Sequence, residues 1–256
     1  MNLVEFFNEK NLYAQIKNNF MYTCKDHGGI FKVFCKDTKN NDIFYCKHDF
    51  ADKKPRIVLV SGLHGDEPGG PLGLFDFYKK CDVNKANFLL LPILNPYGFY
   101  KNTRKDDMQR DLNRAWDKND RQMVVKSKKL ITQFKPNVLF SLHEDKNVDG
   151  FYLYPSPNFS QALCRLICKK LKKYIGPITD GEIYGDHVKN GIVSSPNVHK
   201  PKCAKSLEYF FEKKNIPNIT IEIPANIDLG IRMKIYSSLL GSLFDEKYYK
   251  QGHRNA

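Results

Sequence analysis

The sequence predicts an α/β chain: a three-layer sandwich whose mixed, largely parallel central sheet is flanked by helices. Three observations carry this expectation. "RIVLV" (56–60), "NFLLLPI" (87–93), "NVLFSL" (137–142) and "NITIEI" (218–223) are short, nearly continuous apolar runs, as expected of strands buried on both faces. Helical apolar spacing marks roughly 71–80, 121–134, 160–173 and 228–243. Runs and helices alternate, and alternation of this kind builds a parallel sheet with helical crossovers.

Ahead of these units, Asn2 and Glu5 have the spacing of a capping box, and Val4, Phe7, Ala14 and Ile16 outline an amphipathic opening helix. "FKVFC" and "DIFYC" flank the polar "KDTKNN", which reads as a strand hairpin. Internal repeats, low-complexity blocks and linkers are not evident. One domain over 1–256 is expected, with the helix and hairpin of 1–50 as part of it.

The formal net charge is +13, but 33 of the 41 basic residues are lysine and they are scattered. A dispersed lysine excess is a solvated surface rather than a nucleic-acid groove. Cysteines are spread singly and without CxxC spacing, and Cys164 and Cys168 lie four apart on one helix face, as core fillers do. The N-terminal stretch has no basic-then-apolar signal pattern, and no apolar run approaches the roughly 18 residues of a membrane span. The expectation is a cytoplasmic protein without nucleic-acid or membrane partners; its oligomeric state stays open.

The chemistry lies where the apolar runs stop. After "IVLV" comes "SGLHGDEPGG", with His64 and Glu67; "NVLFSL" is followed at once by His143; "NITI" runs into Glu222. In α/β sheets ligand sites gather at the carboxyl ends of strands, so these residues converge on one crevice. Two histidines and a glutamate with an open fourth position suit a single catalytic Zn2+, and Glu222 remains as a base for an activated water. The glycines of the first stretch permit a sharp turn, and the stretch lacks the Lys-Ser/Thr of a phosphate loop. A carboxylate in the interior of "ITIEIP" needs a partner. In "NTRKDDMQRDLNRAWD", Asn113 and Arg114 can clamp a carboxylate, and an arginine upstream can hold an oxyanion.

In order, HxxE in "LHGDE", then "DLNR", the histidine of "SLHED" and the glutamate of "TIEIP" resemble the zinc carboxypeptidase family. The compact branches are the most similar: murein-peptide amidases and the succinylglutamate desuccinylase/aspartoacylase group. The resemblance spans roughly 57–243 and implies the zinc carboxypeptidase fold. It implies His64, Glu67 and His143 as zinc ligands, Glu222 as general base and proton donor, and Arg104 as oxyanion holder. Asn113 and Arg114 would bind the substrate carboxylate, and Asp111 would orient His64. "NRAW" stands where peptidase members often read "NRN" and an aromatic. Arg110 competes with Arg104 for the oxyanion role, and Tyr184 and Tyr209 are positional candidates for a substrate-capping tyrosine. The expected activity is hydrolysis of an amide beside a free carboxylate in a small peptide. The alternatives are an N-acyl amino acid deacylase and a non-catalytic binder of acidic C-termini.

Overall fold

The computed structural model describes residues 10–50, 53–194 and 203–244. Along the chain run α1 (Lys10–Asp26), β1 (Ile30–Lys36), β2 (Asp42–His48), β3 (Arg56–Val60), α2 (Gly69–Lys80), β4 (Asn87–Leu91) and α3 (Pro96–Lys101). Then follow α4 (Gln122–Phe134), β5 (Val138–Asp145), β6 (Tyr152–Pro155), α5 (Gln161–Leu171), β7 (Gly181–Ile183), β8 (Asp186–Lys189), β9 (Ile192–Ser194), α6 (Leu207–Glu212), β10 (Asn218–Pro224) and α7 (Leu229–Leu243). The four apolar runs are β3, β4, β5 and β10, and the hairpin is β1–β2. The four helical spacings are α2, α4, α5 and α7. The Asn2–Glu5 pattern lies outside the described residues.

The ten strands of the described residues form one sheet in the order β1-β2-β4-β3-β5-β10-β6-β9-β8-β7. The central four, β4-β3-β5-β10, are parallel. Antiparallel β1–β2 extends one side and β6 begins the other, so the sheet is mixed around a parallel centre.

Strand periodicity explains the layers. Successive side chains point to opposite faces. Ile57, Leu59, Phe88, Leu90, Phe140, Ile219 and Ile221 join one core with Phe77, Ile167, Tyr236 and Leu240, from α2, α5 and α7. Val58, Val60, Leu89, Leu91 and Leu139 join another with Trp116, Val124, Ile131 and Phe211, on the side of α4 and α6. Cys24, Cys35, Cys46, Cys164 and Cys168 are free and buried, as fillers of these cores.

This topology creates the crevice. From β3 the chain moves to β4 on one side, then returns to place β5 on the other. The carboxyl ends of β3 and β5 therefore flank a switch point, the usual ligand position of an open α/β sheet.

Candidate metal centre

The stretch after β3 is held by its backbone. Gly62 has φ +58, and its carbonyl accepts from Leu94 N at 3.1 Å and Asn95 N at 2.8 Å. Gly65 lies flat on α3: a Cβ there would stand 1.8 Å from Gly98 C. No side chain fits, so glycine is required by contact, not only by conformation. Asn95 caps α3 through Gly98 N at 2.9 Å and donates its amide to Arg104 O at 3.2 Å, while Gly65 N donates to Thr103 O at 3.1 Å. The loop bearing His64 and the segment bearing Arg104 are thus tied together.

His64, Glu67 and His143 are buried, and one ligand atom of each lies within 4.8 Å of the others. His64 Nδ1 is 2.6 Å from Glu67 Oε1, and His143 Nδ1 is 2.8 Å from Glu67 Oε2. The two Nδ1 atoms are 3.2 Å apart. Two imidazole nitrogens on one tetrahedral zinc stand about 3.3 Å apart, given Zn–N bonds of about 2.05 Å. The donor set and the nitrogen spacing fit zinc.

The outer nitrogens fix which atom faces inward. His64 Nε2 lies 3.0 Å from Asp111 Oδ1, so its proton belongs on that side and the Nδ1 lone pair points into the centre. Asp111 is held in turn, accepting from Asn113 N at 2.9 Å and Arg104 Nε at 3.0 Å. Arg104 NH1 also reaches Glu67 Oε1 at 3.4 Å. Burial opposes the charged form of every group here. For Glu67 the two histidines outweigh it, and for Asp111 His64 and Arg104 do, so both carboxyls stay well below the usual range. Burial would lower His64, but Glu67 and Asp111 raise it.

Glu222 is the register partner of His143 across the parallel β5–β10 ladder. The two project from the sheet face that carries α6, and Tyr236 OH donates to His143 O and Ile221 O, stapling the strands beneath them. Burial pushes the Glu222 carboxyl up; His143 pulls it down, but Glu67 and Asp145 add to the rise, bringing it to about 8.

The structure separates the two arginine candidates. Arg104 stands at the centre, whereas Arg110 NH1 pairs with Asp120 Oδ2 at 2.8 Å on the exposed surface. Arg114 bonds the Asn113 carbonyl at 2.8 Å and has no ion pair among the described residues. Asn113 is largely engaged elsewhere: Oδ1 accepts from Leu207 N at 2.9 Å, serving an otherwise unpaired donor at the start of α6, and Nδ2 donates to Glu208 Oε2 at 3.2 Å. Tyr184, at φ +51 in the β7–β8 turn, sends its OH to Asp145 Oδ2 at 2.8 Å, joining Tyr152 OH at 2.7 Å.

Two acidic residues carry more than their sequence suggests. Glu144 has a fully buried side chain paired with Arg232 NH1 at 2.5 Å. Glu208 belongs to no sequence motif. It enters from α6 and stands 3.6 Å from His143 Nε2. Burial would push its carboxyl up, but His143 beside it holds it at about 2. The one signal for it is an acidic residue within the aromatic stretch "SLEYFF".

Comparison with known proteins agrees with this geometry. "Probable carboxypeptidase 2" of Arthroderma benhamiae is 31% identical over 103 residues, which is 37% of this chain and 20% of that protein. The match thus spans one fifth of the curated relative's length. A metallo-carboxypeptidase from Pseudomonas aeruginosa, solved with (2-guanidinoethylmercapto)succinic acid, has TM-score 0.69 at 16% identity, covering 92% of this chain and 68% of that one. The murein-tripeptide amidase MpaA from Escherichia coli O157 has TM-score 0.63 at 15% identity, covering 84% and 91%. These likenesses establish the zinc carboxypeptidase fold. The family model of Peptidase M99, described as the catalytic part of a carboxypeptidase controlling helical cell shape, matches residues 27–161, slightly over half of the chain. This chain belongs to the Peptidase M99 family of carboxypeptidases.

Proposed function

We propose that the protein is a zinc-dependent carboxypeptidase that hydrolyses the amide beside a free terminal carboxylate. The observation that carries this reading is the meeting of His64, Glu67 and His143 at one point, with Glu222 on the neighbouring strand. His64, Glu67 and His143 would hold a zinc ion, which would supply Lewis-acid chemistry, polarising a carbonyl and bringing the pKa of water to about 7. Glu222 takes the proton of the attacking water and delivers it to the leaving amine. Arg104 holds the developing oxyanion, and its bond to Asp111 aims it. Arg114 binds the substrate carboxylate, with Asn113 shaping the loop that presents it and offering its spare amide N–H. Asp111 keeps His64 in the ligating tautomer.

Cell-wall peptides come first among substrates, because the family is described by its control of helical cell shape and one structural neighbour is named for murein tripeptide. The test is a panel of murein tripeptide, ordinary peptides with free C-termini, and N-acyl-aspartate or N-acyl-glutamate, run beside zinc analysis of the purified protein. Release of a C-terminal residue by zinc-loaded protein supports the reading. Turnover of N-acyl amino acids alone replaces it with a deacylase. Binding of acidic C-termini without turnover makes the protein a non-catalytic binder.

A further inference from the structure

The two histidines of the centre are supported unequally in sequence but alike in space. His64 has Asp111, a residue of the "DLNR" stretch, on its outer nitrogen. His143 has its own acidic neighbour, reached from a helix 65 positions further along the chain. His143 Nδ1 faces Glu67, which leaves Nε2 pointing away from the centre. That atom is buried, and among the described residues it has no hydrogen-bond partner; Glu208 Oε1 is in the same condition. The two face each other at 3.6 Å, about 0.7–0.9 Å longer than a charge-assisted hydrogen bond. Two buried polar atoms without partners at that separation are far better joined than apart.

Glu208 is itself firmly placed. Ser206 Oγ caps α6 through Tyr209 N at 3.2 Å, and Leu207 and Phe211 on either side are fully buried in the core. The other Glu208 oxygen accepts from Asn113 Nδ2 at 3.2 Å. One carboxylate therefore touches both the histidine of β5 and the loop that carries Asn113 and Arg114.

We infer that Glu208 is a positioning residue: it accepts the Nε2–H of His143, fixes the tautomer that turns Nδ1 toward the metal, and joins the metal-site histidine to the loop of Asn113 and Arg114. This rests on the zinc reading above. It assigns Glu208 no contact with substrate and no proton transfer.

The test is the zinc dissociation constant, measured by chelator competition on the full chain. Glu208→Ala binds zinc about 10–100-fold more weakly than wild type, the usual effect of removing a ligand's supporting carboxylate. Glu208→Gln, which can still accept from His143, falls between the two. Ser206→Ala removes the α6 cap but leaves Glu208, and retains nearly wild-type zinc affinity. In a His143→Ala background, Glu208→Ala has no further effect on zinc. Wild-type affinity in both Glu208 variants overturns the inference, as does a loss in Ser206→Ala equal to that in Glu208→Ala. If wild type itself binds no zinc, the zinc reading fails first and takes this inference with it.

Discussion

His143 and Glu222 stand opposite each other in the parallel ladder between β5 and β10, so the metal-site histidine and the proposed base are set by the same backbone hydrogen bonds. Glu222 is not needed to hold the metal. Glu222→Gln is therefore expected to keep zinc and fold while kcat/KM falls by a factor on the order of 10²–10⁴. Metal analysis and steady-state kinetics check this; an unchanged rate would remove Glu222 from the reaction.

Acidity sets the second expectation. Burial raises the Glu222 carboxyl to about 8 before any cation is bound, and the base works only when ionised. Activity must then rise with pH on the acid side. A nearby zinc ion favours the carboxylate, so the apparent pKa of that limb lies below about 8. A kcat/KM profile for wild type should show the limb, and any residual activity of Glu222→Gln should lack it.

Arg104 and Arg110 make opposite predictions. Arg104 bonds Asp111 and approaches Glu67, whereas Arg110 pairs with Asp120 on the surface. Arg104→Ala should lower kcat by about 10²–10³, the effect of losing an oxyanion donor. Arg110→Ala should stay within about twofold of wild type, since an exposed pair contributes little. Parallel kinetics on the two variants decide the assignment.

Gly65→Ala tests the contact with α3. A methyl group 1.8 Å from Gly98 C must displace backbone, so a loss of about 2–4 kcal/mol is expected. Urea denaturation measures it. Full stability in this variant would mean that the loop does not pack on α3 as described.

Zinc should also stabilise the fold, because its ligands come together only in the native chain. At free zinc a hundredfold above its dissociation constant the gain is about 2.7 kcal/mol. For a chain of this size that raises Tm by about 5–10 °C. Thermal scans with zinc and with chelator check it; coincident curves would argue against ligation.

Much of this site is legible in the sequence because its key residues follow strands. His64, His143 and Glu222 each stand at or just beyond an apolar run, and the parallel sheet does the rest. The short strands β7, β8 and β9 gave no such signal, since three or four residues are too few for periodicity to show. Glu208 stayed hidden because its partner, His143, is distant in sequence and its setting is aromatic. Asn113 looked like a free carboxylate clamp, but its neighbour Leu207 needed an acceptor at the start of α6, and that need is visible only in three dimensions.

The strand order also sets a schedule for synthesis. β3 pairs directly with β5, so His64, Glu67 and His143 can come together while β10 is still inside the ribosome. The proposed base on β10 and Glu208 of α6 emerge later. A nascent chain would thus have its three metal-site residues in place before the proposed base, and on that reading hydrolysis would wait for the last strand to dock.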